Sequence, residues 1–199
     1  MESSKIENQI MDSAFNLFFE KGSRLADKEE LLKINNIKAE TFDKHFKSIE
    51  ELYFDALYKK VFELLNSANT MPFPHNNKEI SLNSLLEIFF INTAFIELNL
   101  LKKLQFEKKS SKEKILSFMN LDHQILESLC DIFSAHVPFD KNKIKKKIVQ
   151  TKYLINGFWV TSRMPEALIE KADEDYIKKQ YVDFETDVRC LIYKIWESE

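Results

Sequence analysis

Apolar side chains recur every three or four residues along most of the chain. Ile6, Ile10, Ala14, Leu17 and Phe18 form the first series and predict a helix from about Ser4 to Lys21, with Gly22 placed to end it. Between Asp27 and Phe46 the pattern shortens. Asp27 and Glu30 stand in capping-box spacing, and Leu31, Leu32 and Ile34 give the helix they open an apolar side. Asn35-Asn36 breaks that helix, because Asn tolerates the left-handed backbone a helix exit often needs. Ile37 reads as a buried turn residue. Lys38 to His45 then forms a second short helix, roughly 12 Å long at ~1.5 Å per residue. Ser48 with Glu51 is another capping box, and its helix runs through Leu52, Ala56, Val61, Leu64 and Leu65 to about Ala68. Asn69 to Lys78, with its prolines and asparagines, reads as a linker.

From Ile80 the helical pattern resumes. Leu85, Phe89, Thr93, Ile96 and Leu100 make one stripe, while Leu86, Phe90 and Phe95 add apolar surface on other sides, which predicts an interior helix. A charged break from Glu107 to Lys112 precedes Ser110 and Glu113, a further capping box. Its helix runs to about His136 through Ile115, Phe118, Met119, Ile125, Leu126, Leu129 and Phe133. Asp140 caps the next, which carries Ile144, Ile148, Ile155 and Phe158 to about Met164. The last helix, from about Asp173 to Trp196, places Ile177, Tyr181, Phe184, Val188, Leu191 and Ile195 in alternating steps of four and three, a seam suited to pairing with another helix. The fold class these elements predict is all-α.

Composition agrees. Two glycines and four prolines in 199 residues leave few turns, and 17 phenylalanines supply an aromatic core. The net charge of −3 excludes a globally basic nucleic-acid binder. Two cysteines make no disulfide framework, and the first residues hold no apolar signal core, so a cytoplasmic setting is expected. Leu82 to Leu104 is the most apolar segment, but Glu87, Asn92, Thr93, Glu97 and Asn99 mark it as a buried helix and not a membrane span.

Two short helices about a tight turn make a helix-turn-helix pattern, and a helix the size of Lys38–His45 fits a DNA major groove ~12 Å wide. The flanks extend the pattern. Phe18 and Gly22 match the phe-x-x-x-gly that ends the first helix of the TetR family of transcriptional regulators. His45-Phe46 matches its his-phe pair, and Ser48, Glu50 and Leu52 most of its ser-lys-glu-x-leu. Residues 10–57, about a quarter of the chain, thus resemble that family's N-terminal domain, with the Gly22-to-Phe46 spacing kept without a gap. The chain departs from the family at contact positions. Ala26 and Asp27 stand where it usually places Thr, Glu40 where Gly is common, Asp43 in place of a phosphate-touching Tyr, and Ile49 in place of Lys. Residues 1–60 hold ten Lys and Arg against twelve Asp and Glu, a net of −2. The remaining candidates for contact with double-stranded DNA are Lys28, Lys38, Thr41, Lys44 and Lys47, with His45 and Phe46 read as packing residues.

The resemblance implies a DNA-reading domain over 1–47, and a helical domain over 48–199 that binds a small apolar effector and dimerises. Candidates for the effector site are Phe89, Phe90, Phe118, His123 and Phe133. Candidates for the homodimer interface are Phe158, Tyr181, Phe184, Val188, Leu191 and Ile195. The basic run of Lys141, Lys143, Lys145, Lys146 and Lys147 reads as a solvated helical surface. None of His45, His75, His123 or His136 shares metal-ligand spacing with a Cys or carboxylate cluster, so neither metal nor cofactor is expected. No phosphate-cradling glycine loop, nucleophile elbow or catalytic triad stands in the chain, and an enzyme is not expected. The competing reading is a binding protein of the same fold whose DNA contacts have decayed and which holds a lipid-like ligand or a protein partner.

Overall fold

The computed structural model describes residues 2–20, 24–70, 82–83, 86, 93–135, 137–162 and 184–197. No strand occurs among the described residues, in keeping with the all-α expectation. The helices are α1 (Glu2–Glu20), α2 (Lys28–Asn35), α3 (Ala39–His45), α4 (Ile49–Thr70), α5 (Thr93–Leu101), α6 (Lys112–Ser134), α7 (Lys141–Ser162) and α8 (Phe184–Glu197). A π-helical turn, Lys102–Phe106, and a 3-10 turn, Glu107–Lys109, lie between α5 and α6. Among the described residues, no helix is long and apolar enough to cross a membrane. Phe89, Phe90, Tyr181, Ile177, Gly22, His75 and His136 lie outside the described residues.

Packing divides the chain into two compact units, Met1–Met71 with Asn92–Ile125, and Pro72–Ile91 with Leu126–Glu199. In the first, α4 packs against α1, α5 and the π turn. Its centre is aromatic: Phe18, Phe42, Phe46, Tyr53, Phe54, Phe106 and Phe118 are all buried. Tyr53 of α4 joins α1, the π turn and the segment before α2. Its ring lies 5.9 Å from that of Phe18 on α1 and stacks at 6.2 Å on Phe106 of the π turn. Its hydroxyl accepts from the Ala26 N–H at 2.9 Å and donates to the Ala14 carbonyl at 3.2 Å. The phenol thus gives the Ala26 N–H, which lies outside any helix, its acceptor and adds a second hydrogen bond to the Ala14 carbonyl of α1.

The π turn has a physical cause in the spacing of buried residues. Leu98, Lys102 and Phe106 are all buried. Eight residues of α-helix turn through about 800°, which would leave Phe106 ~80° away from the Leu98 side. A π turn takes up one extra residue, ~100° of rotation, and returns Phe106 to the interior. Lys102 is buried by the same arrangement. Its ammonium lies 3.7 Å from the centre of the Phe118 ring and 3.2 Å from Asp122 Oδ2, an aromatic face and a carboxylate for a charge withdrawn from water. Phe118 also meets Phe54 at 5.3 Å and Tyr58 at 5.9 Å.

Helix starts follow the caps, with one correction. Ser48 Oγ accepts from the Glu51 N–H at 3.1 Å and opens α4, and Asp140 Oδ1 accepts from the Lys143 N–H at 3.0 Å and opens α7. The start of α6 is capped by Ser111, whose Oγ accepts from the Lys114 N–H at 3.3 Å. Ser110, expected in that role, instead donates to the Phe106 carbonyl at 2.9 Å and closes the preceding turn.

In the second unit α8 packs on α7. Val188, Ile192 and Trp196 are buried, the Trp196 ring lies 4.7 Å from Phe133, and its indole N–H donates to Thr151 Oγ1 at 3.1 Å. The steps of four and three along α8 therefore face its own chain at Val188, while Leu191 and Ile195 are half-buried. On α7, Tyr153 (71 % exposed), Gly157 and Val160 (60 %) share one exposed face at helical spacing.

The phenol of Tyr53 is pushed up to about 12 from 10.0, by burial above all. A raised pKa means that the fold favours the neutral phenol, so its stabilisation is complete below about pH 10 and is lost as pH climbs through 12. Tyr53→Phe leaves the buried Ala26 N–H without its acceptor and should cost about 1–3 kcal/mol in urea denaturation at neutral pH. The variant should also show a shallower loss of stability across the alkaline window than the native chain. Equal alkaline slopes would contradict the assignment.

Candidate nucleic-acid interface

The segment from Asp27 to Phe46 forms as its residue types require. Asp27 adopts an extended backbone (φ −80°, ψ 168°) and its carboxylate accepts from the Glu30 N–H at 2.9 Å, while Glu30 accepts from the Asp27 N–H at 3.2 Å. This reciprocal pair starts α2. Asn36 ends it in the left-handed region (φ 49°, ψ 49°), the one non-glycine residue with positive φ among those described. Asn35 has a different task. It is buried, its Oδ1 accepts from Ser13 Oγ at 2.9 Å and its amide donates to the Leu31 carbonyl at 2.9 Å, so it fastens α2 to α1. Ile37, expected buried, is half-buried and packs against the core.

Lys38 caps α3 through its backbone and keeps its side chain out of the cap. Phe42 and Phe46 anchor α3 inward, with rings 5.6 Å apart. His45 sits beside Phe46, its Nδ1 3.8 Å from Glu7 of α1. Lys38, Ala39, Glu40, Asp43, Lys44 and Lys47 are exposed, and Thr41 is half-exposed. Four of the five candidate contact residues are therefore near neighbours along one short segment. The fifth, Lys28, sits against α3: its ammonium is 2.5 Å from Asp43 Oδ1 and 5.3 Å from the centre of the Phe42 ring. Asp43 thus occupies the ammonium of Lys28.

The acids that follow are also matched. Glu50 pairs with Lys109, whose hydrogen bond is the main reason its carboxyl lies below the ordinary value. Lys114 reaches Glu51 at 2.8 Å and Asp55 at 2.6 Å. Burial works against the Glu51 carboxylate, but hydrogen bonds from Lys114 and the Lys47 N–H hold it below the ordinary value. Burial prevails at Asp55 and pushes its carboxyl up despite Lys114. Residue counting misses this, because Lys109 and Lys114 lie some sixty residues away in sequence. Ile49 is half-buried and packed against the core.

The lysine run of α7 is largely spoken for. Lys141 reaches Asp131 at 2.7 Å and Glu127 at 3.1 Å, and Lys145 reaches Glu127 at 2.8 Å. Hydrogen bonds from Lys145, then Lys141, hold the Glu127 carboxyl down to about 2. Lys143 and Lys147 lie over the Phe139 ring at 4.6 and 4.8 Å, and buried Lys147 also donates to the Ile195 carbonyl in the last turn of α8. A cation is favoured at that helix end. The run neutralises α6 and caps α8, and only its Lys146 stands with neither an acid nor a ring among the described residues.

The effector-site and dimerisation candidates are scattered among other tasks. Phe118 is core in the first unit and Phe133 core in the second, while His123 is exposed. Phe158 is half-buried, and Phe184 meets Trp159 edge-on at 4.8 Å.

No protein-family model matches the chain, and no curated protein is significantly similar to it.

Both members of the Lys28–Asp43 pair are partly exposed, so the pair itself contributes little to stability. Asp43→Asn should shift the urea midpoint by less than the equivalent of ~1 kcal/mol. The same variant should leave the far-ultraviolet dichroism unchanged. A large loss of stability would mean that Asp43 holds α3 in place.

Proposed function

We propose that the chain is a TetR-like DNA-binding transcriptional regulator that acts as a homodimer and responds to a small apolar molecule. The observation that carries this reading is the α2–turn–α3 unit: a capped α2, a left-handed Asn36, and a short α3 anchored by Phe42 and Phe46 with Lys38, Thr41, Lys44 and Lys47 turned toward solvent. Such a unit places its second helix in the major groove. The family resemblance of residues 10–57 supplies the rest of the reading. The effector rests on the resemblance alone, because the described aromatic candidates Phe118 and Phe133 are packed core side chains.

Electrostatics sets the expected character of binding. Each neutralised phosphate contributes about −0.9 to the slope of log affinity against log salt. Lys28 is held by Asp43, and Glu40 and Asp43 add negative charge to α3. The native protein should therefore bind its own upstream DNA with a shallow salt slope, measured by fluorescence anisotropy between 50 and 200 mM salt. Asp43→Asn releases Lys28 and should steepen the slope by about 0.9 per protomer, equally on specific and random DNA. A native slope near −10 would show that other cations carry the contact. No binding at any salt would favour the second reading, a protein of the same fold that has left DNA behind, which the capture of Lys28 supports.

The homodimer is proposed through the exposed face Tyr153–Gly157–Val160 of α7 and the half-buried Leu191 and Ile195 of α8. Val188 is buried within its own chain, and a charge there tests folding and not assembly. Val160→Glu should instead yield folded monomer in light scattering. A native chain that is monomeric at micromolar concentration removes the dimer.

A further inference from the structure

The solvent face of α3 carries a carboxylate whose position asks for a specific kind of partner. Glu40 is exposed, and it has no hydrogen bond or ion pair among the described residues. Asp43 differs, because Lys28 neutralises it. Lys44, one turn beyond Glu40 on the same face, is also exposed. A reader helix laid in the major groove presents its N-terminal residues to base edges, and Glu40 stands in the first turn of α3. A lone carboxylate next to phosphate is repelled, so Glu40 is compatible with DNA only if it faces a hydrogen-bond donor. The major groove offers two, the N4 amino group of cytosine and the N6 amino group of adenine. Adenine sets its N7 acceptor beside that donor, which repels a carboxylate. Cytosine sets a C–H there.

We infer that Glu40 is a specificity residue that accepts from the N4 amino group of a cytosine, with Lys44 donating to O6 and N7 of a guanine about two base-pair steps away. The spacing follows from the helix: four residues rise ~6 Å, against ~3.4 Å per base step. The consequence is an operator half-site with a required C·G pair under Glu40 and a required guanine under Lys44. The inference rests on the DNA-reading proposal and specifies its substrate. It also assigns Glu40, which lowers general affinity for DNA, a positive role in choosing among sequences.

The test is selection from a randomised duplex library with the full-length native chain, Glu40→Gln, Glu40→Ala and Lys44→Ala, each checked for native dichroism. The native chain should enrich a motif with one strongly preferred C·G pair, disfavouring other bases there by about five- to one-hundredfold. Glu40→Gln should change that column to A·T, because Gln pairs both with N6 and with N7 of adenine. Glu40→Ala should flatten the same column while raising binding to random DNA, and Lys44→Ala should flatten a different one. A motif enriched by the native chain and unchanged by both Glu40 variants overturns this inference and leaves the DNA-reading proposal standing. Enrichment of no motif, with no binding to any duplex, overturns the DNA-reading proposal and this inference with it.

Discussion

The first unit hangs on one phenol. The hydroxyl of Tyr53 lies where α1 offers a carbonyl at Ala14 and the chain entering α2 offers an N–H at Ala26. Helix geometry provides no acceptor for the Ala26 N–H, and both residues are buried away from water. Phenylalanine in the same place would fill the space and leave the Ala26 N–H bare. The ring meanwhile packs on Phe18 and stacks on Phe106, so the same residue joins the core to the start of the α2–turn–α3 segment. The position of Phe106 depends in turn on the extra residue in the π turn. A local irregularity in one helix is thus the condition for a flat aromatic contact in the middle of the unit.

Charge is arranged by the same logic. The acids at the start of α4 add to the negative count of residues 1–60, yet Lys109 of the 3-10 turn and Lys114 of α6 meet them. In α7 the lysine run meets Glu127 and Asp131 of α6. In both cases the field that a nucleic acid would feel differs from the one residue counting suggests. What remains exposed along α3 and its cap is a short set of mixed charge, Lys38, Glu40 and Lys44.

Much of this was open to reading from the chain alone. Helix positions follow apolar spacing, and helix ends follow Asp27, Asn36, Ser48 and Asp140, because capping and turn preferences act over three or four residues and need no tertiary partner. The burial of Phe42 and Phe46 and the exposure of Lys38, Lys44 and Lys47 follow from periodicity over the same range. Only the tertiary structure decided the rest. Asn35 looks like a turn residue and is a tether to Ser13; Lys28 looks like a phosphate contact and is held by Asp43; Val188 looks like an outward seam and is buried on α7. Lys102, polar by type, is buried beneath Phe118 because the π turn rotates it inward. Each of these depends on partners 15 or more residues away, and periodicity carries no record of which distant side chain a given face will meet.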